Sequence, residues 1–153
     1  MIASTVERVS QNTTECVNRM IRRRTEQCIS RCAAGGRDAI NRRLAELDEE
    51  WDVERTLEAN AATATLVGLT LGTFVDRRWY LFPAAVAGFL MQHAVQGWCP
   101  PVPILRRLGF RTQSEIDYER YALKSLRGDF RNLPTSPSQD GAGAKQLVEV
   151  MRR

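Results

Sequence analysis

No aspartate, glutamate, lysine or arginine occurs in residues 59–75, "ANAATATLVGLTLGTFV", and none occurs again in 79–105, "WYLFPAAVAGFLMQHAVQGWCPPVPIL". The rest of the chain is densely charged, so a mean hydropathy of -0.34 and 26% charged residues conceal a sharply segregated sequence. Other absences narrow the function. Residues 1–30 hold no apolar run of the length a signal peptide needs, so the islands are expected to act as their own insertion signals. Only 1 histidine and 4 cysteines are present. Cys28-x-x-x-Cys32 puts two thiols on one helix face, but no second Cys/His pair stands nearby to complete a tetrahedral metal site, and no cofactor is expected. The net charge is +4, yet acids and bases are interspersed and no helix-turn-helix or aromatic stacking sheet is suggested. Nucleic acid is therefore not an expected partner.

The two islands carry the fold expectation. A helix over 59–75 is about 26 Å long at 1.5 Å per residue, against a hydrocarbon core of roughly 30 Å. The second island, up to Trp98, is ample. A soluble hairpin with two buried apolar helices is the competing reading, because Asn60, Thr63, Thr65, Thr70 and Thr73 dilute the first island. The membrane reading is favoured because the islands are apolar on all faces, which helices of small soluble domains rarely are. Trp79, Tyr80 and Trp98 also stand at the ends of the second island, where amphipathic rings sit at headgroup level. Only Asp76, Arg77 and Arg78 separate the islands, so the helices must be antiparallel neighbours. Arginine is abundant on both outer flanks, which places both termini on the cytoplasmic side of an inner (plasma) membrane. The expected fold is all-α: a two-helix transmembrane hairpin, 59–75 and 79–98, with flanking cytoplasmic amphipathic helices.

Helix association in lipid favours small residues and amides that bond across the contact. The row Asn60, Ala64, Gly68, Gly72 faces the row Ala84, Gly88, Gln92, Gln96 if the turn is centred on Arg78. This pairs Gly72 with Ala84, Gly68 with Gly88, Ala64 with Gln92 and Asn60 with Gln96. Either glycine row could instead serve a homodimer or small homo-oligomer. His93 is the one ionisable group well inside a span, and such residues are functional candidates by default. With Gln92 and Gln96 it could form a polar patch for an anion or proton, or it could simply bond a neighbouring carbonyl. Cys99 follows Gly97-Trp98 at the cytoplasmic membrane face, an accessible thiol where helix carbonyl dipoles oppose thiolate formation.

The stretch "GFLMQHAVQGWCPPVPILRRLGF" and its hairpin resemble the YgaP-like transmembrane domain family, over about residues 55–110. The resemblance implies a small bacterial inner-membrane hairpin, similar to a dimerisation unit and linked to movement of sulfur-derived anions such as thiocyanate. Its namesake architecture adds a rhodanese sulfurtransferase. "CAAGGR" matches a rhodanese loop formally, with Cys32 five positions before Arg37. The preceding "ECVNRMIRRRTEQCISRC" is an Arg-rich helical pattern rather than the buried strand such a loop follows, so Gly35-Gly36 reads better as a helix stop.

The flanks read as amphipathic helices. Residues 1–58 form a cytoplasmic segment in which Ile40, Leu44 and Leu47 share a stripe behind a candidate cap, Asp38. A single helix is expected from about Glu49 to Val75, with Asp48 as its cap. The acids Glu46, Asp48, Glu49, Glu50, Asp52 and Glu54 are expected to pair with Arg22, Arg23 and Arg24 or with a protein partner. Residues 99–128 give an interfacial turn, with Arg106 and Arg107 toward lipid phosphates. A helix then opens on the capping box Thr112-Gln113-Ser114-Glu115 and stops at Gly128. Its expected buried face is Ile116, Tyr118, Tyr121, Ala122 and Leu126. Residues 129–153 are expected to be mostly disordered. Three function classes stay open: a membrane structural or interaction protein, a small oligomeric transporter of sulfur-related anions, and a thiol redox or sulfurtransfer accessory protein. No catalytic constellation is complete, which favours the first.

Overall fold

The structure, a computed structural model, describes residues 6–131, and every element in it is helical. In chain order these are α1 (Arg8–Gln11), α2 (Glu15–Ala34), α3 (Gly36–Glu49), α4 (Val53–Phe74), a 3-10 turn (Arg77–Tyr80), α5 (Leu81–Gln96), α6 (Val102–Leu108) and α7 (Gln113–Arg127). From residue 132 onward the expected disordered tail lies outside the described residues.

Three helices form a base. α2 stops at Gly35-Gly36, where Gly36 takes φ +75° and an added Cβ on Gly35 would stand 2.7 Å from Ala39 Cβ. The turn needs glycine twice, once for the left-handed backbone and once for close approach. α3 folds back on α2, and α7 packs on both. Cys32, Ile40, Leu44, Leu47, Ile116 and Leu123 fill the space between them. The stripe Ile40, Leu44, Leu47 is buried, while Asp38 lies in the first turn of α3 behind an N-cap at Gly35.

α7 opens on the Thr112/Glu115 capping box and ends at Gly128 in the left-handed region. Its buried face differs from the expected one. Ile116, Glu119 and Leu123 point inward, whereas Tyr118, Tyr121 and Leu126 are exposed. An apolar-only reading passed over Glu119, the charged residue at the centre of the true 3.6-residue stripe.

The single helix expected from Glu49 to Val75 is also interrupted. Glu50 leaves the helix to meet Arg43 and Arg111, and the Val53 N–H donates to the Arg111 carbonyl at 2.9 Å instead of to its own helix. α4 then restarts with Asp52, not Asp48, as cap, accepting from the Arg55 N–H at 2.8 Å. Its lower end joins a second apolar cluster of Val9, Val53, Leu57, Cys99 and Val102, which ties α1 and α6 to the foot of the hairpin.

Candidate functional site: a charged collar beneath an apolar hairpin

α4 and α5 form the antiparallel hairpin, in a register about one helical turn from the expected one. Gly68 and Gly72 are buried, but against Pro83 and Tyr80: an added Cβ on Gly68 would lie 2.6 Å from Pro83 Cδ, and on Gly72 2.8 Å from the Tyr80 ring. Ala84 is exposed and Gly88 has nothing within 4 Å of where its Cβ would be, so neither belongs to the seam. The cause lies in the turn. The Val75 and Asp76 N–H groups both donate to the Leu71 carbonyl, and the Asp76 carboxylate accepts from the Arg78 N–H at 2.8 Å. The chain therefore reverses at Asp76 rather than Arg78, and the glycine hollows receive the bulky Tyr80, Phe82 and Pro83. Ala64 and Gln92 are half-buried. Asn60 and Gln96 do not bond: Asn60 Nδ2 donates to the Thr56 carbonyl at 2.8 Å, and the Gln96 carbonyl accepts from Asn12 Nδ2 at 2.8 Å.

The outward faces remain apolar. Leu66, Val67, Phe74, Leu81, Phe89, Met91 and Val95 are exposed, as are Trp79 and Tyr80 at the tip and Trp98 at the foot. Thr63, Thr70 and Thr73 donate their hydroxyls to carbonyls four residues earlier, each at 2.8 Å. These polar groups are satisfied within their own helix.

At the foot of the hairpin lies a cluster that sequence reasoning saw only through His93. Its side chain is 3% exposed, and Nε2 stands 2.8 Å from Glu54 Oε2. Arg8 donates to the other Glu54 oxygen at 3.1 Å and to the Ala94 carbonyl at 3.1 Å. His93 thus bonds a carboxylate from outside the apolar island, not a neighbouring carbonyl or lipid. Among the described residues His93 Nδ1 and Arg8 Nε are buried without hydrogen-bond partners. Burial pushes the Glu54 carboxyl up, but the His93 and Arg8 bonds outweigh it and hold the group below its ordinary value.

Arg106 is the largest departure from the sequence reading. It is 0% exposed and does not face lipid phosphates; its guanidinium grips Glu115 with both nitrogens at 2.6 and 2.7 Å. It also donates to the Phe110 carbonyl, Thr13 Oγ1 and Asn18 Oδ1. Glu115 is thereby held below the usual carboxyl value despite its burial. The capping box was visible in sequence, but its carboxylate also anchors the guanidinium. Arg107 is exposed.

A second ionic centre lies inside the base. Glu119, 0% exposed, accepts from Arg43 and Arg111, which also bind Glu50. Arg8, Arg43, Arg111 and Arg120 take up Glu46, Asp48, Glu50 and Glu54, so the acids do not pair with Arg22, Arg23 or Arg24. Burial and then donation to the Glu119 carboxylate push the Cys28 thiol up to about 11. Cys32 is in the base core, and Cys99 is 4% exposed rather than accessible, its thiol pushed up by burial. Burial closes both thiols to a substrate.

These features define an all-helical chain in which a charged base carries an apolar hairpin. Among the described residues no helix is long and apolar enough to cross a membrane, and no group of three or more His, Cys, Asp or Glu side chains could hold a metal ion. No protein family, curated protein or solved structure matches the chain.

Proposed function

We propose that this chain is a membrane-seated structural and interaction protein, in which the α4–α5 hairpin is embedded in lipid and the charged base is displayed on the cytoplasmic side. The observation that carries the reading is the hairpin surface. Leu66, Phe74, Leu81 and Met91 are 65%, 81%, 75% and 71% exposed, along α5 and over the upper half of α4. Soluble monomers rarely expose contiguous apolar patches beyond a few hundred Å². Lipid is the covering that suits an apolar surface shared by α5 and the upper half of α4.

Length is the opposing consideration. α5 has 16 residues, about 24 Å against roughly 30 Å of hydrocarbon, and the lower part of α4 is polar. Local bilayer thinning covers such a shortfall at fractions of a kcal/mol per Å. Asp76, Arg77 and Arg78, with Trp79 and Tyr80, would then reach the far headgroups. The threonine hydroxyls bonded within α4 lower the cost of placing them in lipid.

The inner-membrane location, the cytoplasmic partner and the homodimer or small homo-oligomer belong to the same proposal, as does the YgaP-like resemblance. Transport of sulfur-related anions has less support, because Glu54 places a carboxylate on the histidine an anion would approach. A thiol role has less still, since Cys32 and Cys99 are buried. Alkaline carbonate washing of membranes from expressing cells tests the proposal. Retention in the pellet is expected, and release into the supernatant would refute it.

A further inference from the structure

α2 carries Arg24, Cys28 and Arg31 at helical spacing along one stripe, beside the connection from α6 to α7. A cavity of about 420 Å³ opens there, with Arg43, Arg111 and Glu119 at its inner side. Arg24 and Arg31 are exposed, and no ion pair engages either of them among the described residues. Four guanidiniums and one buried carboxylate thus line the cavity. The inner two are taken up by Glu119, Glu50 and Glu46, whereas the outer two have no acidic partner among the described residues, Arg31 bonding only the Gln27 carbonyl through Nε at 3.4 Å.

The mouth adjoins an apolar lip. Arg24 Nη1 comes within 3.2 Å of where a Cβ on Gly109 would stand, at the end of α6. α6 buries Val102, Leu105 and Arg106 but exposes Ile104 and Leu108, four residues apart, at 61% and 69%. α6 follows the hairpin after a short Pro100-Pro101 turn, and Leu108 directly precedes Gly109, which lines the cavity.

We propose that the cleft between α2 and the α6–α7 connection is a headgroup site for an anionic phospholipid, with Arg24 and Arg31 binding its phosphate and Ile104 and Leu108 lying along its acyl chains. The proposal rests on the membrane reading above. Guanidinium forks match phosphate oxygens in geometry and charge. An apolar lip next to them selects a phosphate attached to a hydrocarbon chain. A soluble phosphoanion would use the cations alone.

The test uses the full chain purified in neutral detergent, with phosphatidylglycerol, phosphatidylcholine or inorganic phosphate added and binding read by native mass spectrometry and thermal shift. Phosphatidylglycerol is expected to bind and raise the melting temperature, and phosphatidylcholine is not. Arg24→Gln and Arg31→Gln should each weaken binding about five-fold, and the pair roughly 25-fold, as expected for removal of juxtamembrane basic residues. Arg37→Gln, exposed in the first turn of α3 and outside the cavity lining, should leave it unchanged. Equal binding of the two lipids, or unchanged binding by the double variant, would overturn the site. A full thermal shift with inorganic phosphate alone would overturn the lipid as ligand. Failure here with a protein that resists carbonate washing rejects only this site, whereas carbonate release rejects the membrane reading itself.

Discussion

Arg106→Met should destabilise the protein by about 3 kcal/mol, the lower end of the range for removing one partner of a buried ion pair. Arg106 is 0% exposed and holds Glu115 through contacts of 2.6 and 2.7 Å, while further bonds reach Phe110, Thr13 and Asn18. Methionine keeps much of the packing volume but strands the carboxylate and leaves Asn18 Oδ1 and the Phe110 carbonyl without this donor. The Glu115 side chain is 26% exposed, so water reaches part of the stranded charge and the upper end of about 5 kcal/mol is not expected. For a domain of this size the loss corresponds to roughly 9–12 °C in Tm. Thermal unfolding followed by circular dichroism in detergent measures it. The double variant Arg106→Met/Glu115→Gln should recover part of the loss, because the uncompensated charge is gone. Arg107→Met, on an exposed side chain, should stay within about 0.5 kcal/mol of the parent. If Arg106→Met shifted Tm no more than Arg107→Met, Arg106 would be a surface cation and the ionic hub would not exist.

The hairpin register predicts opposite results for two glycines: Gly68→Ala should cost about 1–3 kcal/mol through overpacking against Pro83, whereas Gly88→Ala should be neutral or stabilising by up to about 1 kcal/mol. Thermal unfolding of the two variants checks this, and the reverse ranking would refute the register. Cys28, with its thiol near 11, should alkylate roughly 100-fold more slowly than an ordinary exposed thiol at mildly alkaline pH. Single-cysteine variants treated with iodoacetamide give the rate, and a Cys28 rate equal to that of exposed Cys16 would sink the assignment. Glu54, Glu115 and Glu119 are all held below the ordinary carboxyl value of 4.5, so their stabilisation is present above that value and lost as pH falls through their depressed values. Stability should therefore fall below about pH 4.5. Glu119→Gln should flatten that acid limb, and an unchanged pH profile would count against the buried network.

Much of the helical plan was legible because its signals are local. Gly35-Gly36, the Thr112/Glu115 box and Gly128 fix chain direction through a few neighbouring atoms, and each lies where the pattern put it. The failures came where a long-range partner outweighs local periodicity. Glu50 breaks an otherwise continuous helical pattern because Arg111, 61 residues later, takes its carboxylate. Arg106 looks in sequence like one of a surface pair, but Thr13 from the α1–α2 connection and Asn18 from α2 enclose it. His93 was marked by its isolation, while Glu54 and Arg8 stood in dense charge where no pattern distinguished them. In the hairpin, small residues on α4 correctly marked a close approach. The residues that fill it are rings, which a rule matching small with small cannot find.

Gly97 adopts φ +74° and lies so close to α1 that a Cβ there would come within 2.6 Å of the Arg8 backbone, while Arg8 and Asn12 hold the carbonyls of Ala94 and Gln96. α1 is thus a clasp whose eye is made long after it. During translation residues 8–12 leave the ribosome more than 80 residues before the carbonyls that receive them. α2 and α3 need only one another to begin packing, but α1 must wait until both arms of the hairpin are complete. A chain arrested before Gln96 would leave Asn12 without the Gln96 carbonyl and Val9 without Cys99 and Val102. Closure of α1 therefore reports that the hairpin has been finished.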